Sequence, residues 1–185
     1  MPNDGFWLLI LHKGQAFVPT TAKTEAGFYL SIEPIDVIDT SDERKVEEAL
    51  LRAIGRGNPA VPTPSRADYS RKPALLRLAK AKSRASFERV AKSWKLSKRQ
   101  GAYFIVPYRH REDSGAEEDT ERGEAIPADV PLEEVVHRLV RRALGTGGSR
   151  GTDGTFPGSL SFLTSNEPLT PPPPPLNPPH SLQNT

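Results

Sequence analysis

The sequence contains no cysteine, only one methionine and no long apolar segment. The absence of cysteine excludes disulfides, thiol catalysis and cysteine-ligated metal sites. No apolar stretch approaches the ~20 residues needed to span a bilayer. The apolar run at residues 6–11 is too short for a secretory signal and lacks a basic flank. These absences predict a soluble, cytoplasmic protein with no membrane partner.

Charge and proline are unevenly distributed along the 185 residues. The formal net charge is only +2, yet residues 66–99 hold twelve basic and two acidic side chains, a net charge of +10. Residues 112–134 are acidic instead. From residue 146 onward there are nine of the 19 prolines and few charges. Because such a composition buries too little apolar surface to offset its ordering entropy, residues 146–185 are predicted to form a disordered Gly/Pro-rich tail.

The two tryptophans mark an apparent internal repeat. The same residue types stand at the same distances after Trp7 and after Trp94, so the two segments match at an offset of 87 positions. The matched residues are Leu9, Gly14 and Phe17 in the first copy and Leu96, Gly101 and Phe104 in the second. A second set matches at an offset of 90: Val46, Leu50, Ala53, Ile54 and Gly55 against Val136, Val140, Ala143, Leu144 and Gly145. The pattern predicts two copies of one core-forming block, with coincidence among common residues as the alternative.

The start of the chain predicts three strands. The apolar runs at residues 6–11 and 15–20 are expected to form a hairpin whose turn places Gly14 at a positive φ angle. A third strand, residues 27–32, is expected to stop at Pro34. Small insertions in the loops between such elements would explain the drift of the repeat offset.

A helix and a linker are predicted next. Thr40 is placed to cap the helix, and Glu43 lies three residues later, at capping-box spacing. Apolar residues then recur at helical spacing until Gly55, which is expected to end the helix. Residues 56–73 contain four prolines and predict a linker without regular structure, followed by two short helices.

The second copy predicts a shorter version of the same block. Strands are expected on both sides of Gly101, but residues 112–124 read as an acidic loop where the third strand of the first copy would be. The second copy is therefore expected to have lost or shortened that strand. A closing helix is predicted from Pro131 to Gly145.

These elements predict an α+β fold. Two related strand–turn–strand–(strand)–helix units are expected around an antiparallel or mixed sheet, joined by a short helical segment. We expect one domain over residues 1–145, with copy one at 6–55, the linker and helices at 56–92 and copy two at 93–145.

Nothing in the sequence indicates catalysis, a metal or a cofactor. The four histidines lie in unrelated places, and no pair has metal-ligand spacing. A run of carboxylates at residues 33–43 fits no calcium loop and is typical of a solvated strand edge and helix start. The glycines at residues 145–151 follow a helix rather than a strand, so they do not form a phosphate loop. We therefore predict a protein that is not an enzyme and binds neither cofactor nor metal.

The basic stretch is the strongest electrostatic feature. It could bind nucleic-acid phosphates and stack bases on nearby aromatic rings. It could meet an acidic protein partner, or simply be the solvated face of two helices. The candidate partner-binding residues, basic and acidic, are Arg84, Arg89, Lys92, Lys95, Lys98, Arg99, Arg109, Arg111, Glu117, Glu118 and Asp119.

The order of the segments adds a resemblance. A hairpin turning at a glycine leads to the segment GFYLSIEP at residues 27–34, and then to a helix ending at Gly55. A prolyl linker around residues 62–64 and two small helices follow, and the strand YFIVP at residues 103–107 and a closing helix complete the order. Over residues 6–145 this order resembles the immunity proteins of contact-dependent growth inhibition (CdiI-like) systems.

The resemblance implies an inhibitor. Such proteins remain in the bacterial cytosol and bind the toxic C-terminal domain of a delivered effector, often a nuclease, by covering or distorting its active site. Inhibitors of nucleases are often acidic, whereas residues 1–145 are net positive. Either the acidic segment 112–124 imitates nucleic acid, or the basic residues 84–99 meet acidic catalytic residues. A small basic nucleic-acid-binding protein is the alternative function.

Overall fold

A sheet of eight strands with helices on both faces forms the fold. The computed structural model describes residues 4–65, 68, 72–111 and 115–146; Arg66, Arg71 and the predicted tail beyond residue 146 lie outside these. The strands are β1 (Gly5–His12), β2 (Gln15–Thr24), β3 (Tyr29–Asp39), β4 (Ala60–Val61), β5 (Lys92–Arg99), β6 (Ala102–Arg111), β7 (Gly115–Glu118) and β8 (Glu124–Pro127). The helices are α1 (Glu43–Arg56), α2 (Ala74–Leu78), α3 (Arg84–Glu88) and α4 (Leu132–Leu144).

The strand order is β3-β2-β1-β5-β6-β7, and all these neighbours are antiparallel. The short β4 lies parallel to the end of β2, and β8 pairs antiparallel with the start of β6. This confirms the predicted α+β class with its largely antiparallel sheet. No helix among the described residues has both the length and the apolar character needed to cross a membrane.

The β1–β2 and β5–β6 hairpins are built alike. Ile10 pairs with Phe17 in the first and Ser97 with Phe104 in the second, which is the same register after a shift of 87 residues. Both turns have two residues with positive φ: 50° and 76° at Lys13-Gly14, and 50° and 73° at Gln100-Gly101. Such turns match the right-handed twist of the strands, and glycine adopts them without steric cost.

The two halves meet along β1 and β5. Trp7 pairs with Leu96, and Leu9 pairs with Trp94, so each pair is the counterpart of the other under the repeat. Leu8 pairs with Lys95 between them. This is the register of two units related by an approximate two-fold axis at the centre of the β1–β5 pair, and it bears out the two related units.

The third strand of the first copy is longer than predicted. Pro34 does not end it, because β3 continues to Asp39. Thr20 pairs with Ile32 and Pro19 with Ile35, so two residues of β3 bulge out of the register at Pro34. A proline is tolerated there because β3 is an edge strand and the bulge interrupts the hydrogen-bond ladder.

The second copy also has its third strand, in two parts. Residues 112–124 are not a loop throughout: β7 and β8 follow one another along the outer edge of β6, separated by a 3-10 turn at Thr120–Arg122. The interruption lies opposite the part of β6 that corresponds to Pro19 and Thr20 of β2, which face the bulge in β3. Residues 112–114 lie outside the described part of the chain.

The boundaries of α1 differ from the prediction. The cap is Asp42, whose side chain accepts a hydrogen bond from the Lys45 amide at 3.1 Å. The Thr40 hydroxyl instead donates to a carbonyl oxygen of the β1–β2 turn at 2.9 Å. The helix continues through Gly55, and the residue that caps its end is Gly57, at a φ of 69°. A glycine inside a helix is tolerated when tertiary packing supports the segment.

The linker and the remaining helices complete the layers. The sequence predicts a linker without regular structure, but the linker contains the short strand β4. Helices α2 and α3 confirm the two short helices, and α4 runs from its Pro131 cap to Gly145, in left-handed conformation at a φ of 75°.

Apolar clusters lie on both faces of the sheet. Helices α1 and α4 bury the larger cluster, which contains Leu9, Leu50, Leu96 and Leu139 at 0% exposure. On the opposite face, α2 and α3 cover a smaller cluster that includes Phe17 and Phe87. His12 is buried beside these two rings, and burial, followed by the charge of Lys13, lowers its pKa.

Candidate partner-binding surface

The basic and acidic segments of the sequence meet in the sheet. Lys95 on β5 is 8% exposed, and its Nζ forms an ion pair with Glu118 of β7, across β6. Tyr108 of β6 pairs with Glu118 in the ladder. Burial, followed by the Glu118 charge, raises the pKa of Tyr108 to about 12. Lys95 and Glu118, two of the predicted partner-binding residues, therefore form an ion pair with each other.

More of the predicted residues are paired in the same way. Arg109 and Glu117 face each other across β6 and β7 and form an ion pair, and the hydrogen bond to Glu117 raises the pKa of Arg109. Arg84 bonds Glu88 one helical turn away at 2.6 Å. Such pairs fix the positions of charged groups on the surface while adding little stability.

The side chains of four predicted basic residues form neither hydrogen bonds nor ion pairs within residues 4–65, 68, 72–111 and 115–146. Arg89 and Lys92 lie where α3 leads into β5, and Lys98 and Arg99 lie at the far end of β5. Since a strand rises ~3.3 Å per residue, the two ends of β5 are roughly 23 Å apart. The unpaired cations therefore form two separate groups and not one basic patch.

The last two predicted residues contribute differently. Asp119 is 7% exposed, and its amide donates to the Pro107 carbonyl at 2.8 Å, so it holds the edge of the sheet. The side chain of Arg111 lies outside the described part of the structure.

The Lys95–Glu118 pair leads to an asymmetric prediction. Glu118→Ala leaves a buried ammonium without its partner, and we expect it to lower the free energy of unfolding by about 1–3 kcal/mol. Lys95→Met keeps the buried stem and leaves a carboxylate that is 38% exposed, so we expect a change below about 1 kcal/mol. Urea denaturation of both variants measures the difference, and equal losses would contradict it.

One end of the sheet carries a groove of about 340 Å³. It lies where the β1–β2 turn, the residues after α3 and the end of α4 come together. Its walls include Lys13, Val90, Lys92 and Leu144. Sequence reasoning included Lys92 but missed Lys13, which is a turn residue far from the basic stretch.

The other end of the sheet carries aromatic rings that belong to neither apolar cluster. Phe6 stacks on Tyr29 with ring centroids 4.6 Å apart, and the Arg99 guanidinium lies 4.5 Å over Phe104. The ladder places Ser97 between Phe6 and Phe104. A small residue between two rings makes a shallow trough about 9–10 Å wide, or two strand spacings.

Among the described residues, one group has ligand atoms close enough to share a metal ion: Glu43, Glu47 and His137, with atoms within 4.8 Å of one another. His137 Nδ1 lies 2.7 Å from Glu47 Oε1, at hydrogen-bonding distance. Glu43 accepts from the Thr146 hydroxyl at 3.4 Å. Hydrogen bonds within the protein already satisfy these side chains, so no metal ion is needed to account for their proximity.

Comparison with known proteins identifies the fold. No protein family profile and no curated protein matches the sequence. A protein of unknown function from Neisseria meningitidis is similar in structure, with a TM-score of 0.56, 14% identity, and coverage of 79% of this chain and 96% of the other. A chain of the CdiA-CT/CdiI toxin and immunity complex from Yersinia pseudotuberculosis has a TM-score of 0.52 at 15% identity, covering 77% of this chain and 96% of that one. At these identities the likeness concerns the fold.

Proposed function

We propose that this protein is an immunity protein that binds and neutralises the toxic C-terminal domain of a cognate contact-dependent growth inhibition effector in the cytosol. The observation that carries the proposal is the shared fold with a chain of a toxin and immunity complex, over 96% of that chain. The order of segments in the sequence supports the same proposal independently of the coordinates.

The construction of the surface supports a binding role without catalysis. The ion pairs of β5, β6 and β7 hold charged side chains on a sheet that is packed on both faces. A rigid scaffold with fixed charges loses little conformational entropy when it binds, which favours tight association. We propose that the toxin, commonly a nuclease in such systems, is inhibited when this scaffold covers or distorts its active site.

Co-expression in a bacterial host tests the proposal. The toxin to use is the C-terminal domain encoded by the gene directly upstream of this chain. We expect that domain alone to arrest growth and co-expression with this chain to restore it, with a stable complex in gel filtration. This chain expressed alone should leave growth unchanged, which distinguishes an immunity protein from a toxin. Arrest that persists despite soluble expression of the chain would reject the proposal.

Nucleic-acid binding is the second candidate function. It is favoured by the aromatic trough, in which the unpaired Arg99 lies over Phe104, because base stacking and phosphate contacts need an aromatic ring and a cation. We expect salt-sensitive binding of single-stranded RNA that weakens when Arg99 is neutralised. Binding that does not change between low and high salt, or no binding, removes this candidate.

A further inference from the structure

The groove at the end of the sheet is the feature that the proposed function leaves unused. It forms between the β1–β2 turn, the segment from α3 to β5 and the end of α4. Its volume is about 340 Å³, enough to receive a few side chains of another protein. Its lining includes Leu11, Lys13, Thr40, Val90, Lys92 and Leu144.

The charge that lines this groove is positive, because its lining includes Lys13 and Lys92 and no carboxylate. The side chains of Lys13 and Lys92 are exposed and form no hydrogen bond or ion pair within the described part of the chain. The carboxylates on the Thr40 side are already bonded: Asp39 accepts from the Ser41 amide at 2.9 Å, and Asp42 contacts Lys45 at 2.7 Å. Glu43 bonds the Thr146 hydroxyl at 3.4 Å, where the wall of the groove ends. These carboxylates lie outside the lining, so the charge that the groove itself presents is that of the two lysines.

An exposed apolar surface lies beside these lysines. Val90 is 53% exposed, the highest exposure of any large apolar side chain among the described residues. The half-buried Leu144 forms part of the opposite wall. Apolar surface with charged groups at its rim is the usual composition of a protein–protein contact.

We propose that this groove is the docking site for the toxin domain, which inserts a segment that combines a carboxylate with a neighbouring apolar side chain. The proposal rests on the immunity function and adds the place and chemistry of the contact. The carboxylate bonds Lys13 and Lys92, and the apolar side chain covers Val90. Complementary charge of this kind fixes the register of a complex and selects against other partners.

Charge reversal measures the contribution of the lysines. In the full chain, K13E/K92E is expected to weaken binding of the upstream-encoded toxin domain by about 10- to 100-fold. The control K23E/K82E changes the net charge equally at two exposed lysines outside the groove lining, and should change the affinity by less than about threefold. Equal effects of the two variants would overturn the proposal and indicate only long-range attraction.

A cysteine label locates the contact independently of affinity. Because the chain has no cysteine, Val90→Cys can carry one environment-sensitive fluorophore in the full-length protein. We expect the emission of this fluorophore to shift when the labelled protein is saturated with the toxin domain. The emission of the same fluorophore on Phe28→Cys, beyond the far end of β2, should stay constant. No shift at residue 90 while gel filtration shows the complex overturns the groove and leaves the immunity function intact. Absence of any complex with the wild-type chain overturns the immunity function itself.

Discussion

Replacing Asn58 by alanine is expected to lower the free energy of unfolding by about 2–4 kcal/mol, although Asn58 lies in the linker. Its Oδ1 accepts from the Phe6 amide at 2.9 Å. Its Nδ2 lies 2.7 Å from the Phe6 carbonyl oxygen, 2.9 Å from the Thr21 carbonyl oxygen and 2.8 Å from the Thr21 hydroxyl. One side chain therefore joins β1 to β2 at the point where their ends separate, and alanine removes this partner from three backbone groups and from the Thr21 hydroxyl.

Two variants separate the bridge from a general effect of mutating the linker. Asn58→Asp keeps an acceptor for the Phe6 amide but loses the donor and places a carboxylate beside two carbonyl oxygens, so it should be as damaging as alanine. Thr63→Ala removes one exposed hydrogen bond to the Ala26 amide in the same linker and should cost less than about 1 kcal/mol. Urea denaturation of the three variants gives the comparison. A loss below 1 kcal/mol for Asn58→Ala would show that water replaces the bridge.

The parts of the fold that sequence reasoning found are those determined by neighbouring residues. The turn at Gly14 and its repeat at Gly101 are specified by local backbone chemistry, and the apolar stripe of α4 by its 3.6-residue period. The repeat extends this local information, because two copies of one pattern predict two copies of one unit. The positions of both hairpins and both long helices followed from it.

The parts that were missed depend on distant residues. The acidic β7 was mistaken for a loop because its Glu117 and Glu118 are held by Arg109 and Lys95 of neighbouring strands, which a one-dimensional pattern cannot show. The extension of β3 past Pro34 depends on an edge position and a bulge that only strand pairing reveals.

The candidate site was partly predictable for the same reason. The sequence locates the charges but not their partners, so it cannot separate a paired Lys95 from an unpaired Lys92. It also cannot show that Lys13, at the tip of the first hairpin, lies beside the start of β5 in one groove. Pairing across the sheet decides which charges remain available to a partner. Within the basic residues 84–99, that distinction narrows the proposed contact to the beginning of β5.

Replacing Leu9 or Leu96 by alanine is expected to lower the free energy of unfolding by about 3 kcal/mol in each case. Both side chains are 0% exposed and belong to the cluster beneath α1 and α4. They occupy equivalent positions, since Leu9 pairs with Trp94 and Leu96 with Trp7. Each substitution leaves a cavity at the junction of the two halves, where helices and strands limit relaxation.

The repeat makes this prediction sharper than an ordinary core truncation. If the two halves are equivalent in packing as well as in register, the two losses should agree within about 1 kcal/mol, as measured by urea denaturation with unchanged m-values. Leu78→Ala, at a side chain that is 42% exposed on α2, is the control and should cost less than about 1 kcal/mol. A small loss for Leu9 with a large one for Leu96 would show that only the register is repeated, because the half-buried Trp94, which pairs with Leu9, then lets water or neighbouring side chains fill the cavity at Leu9.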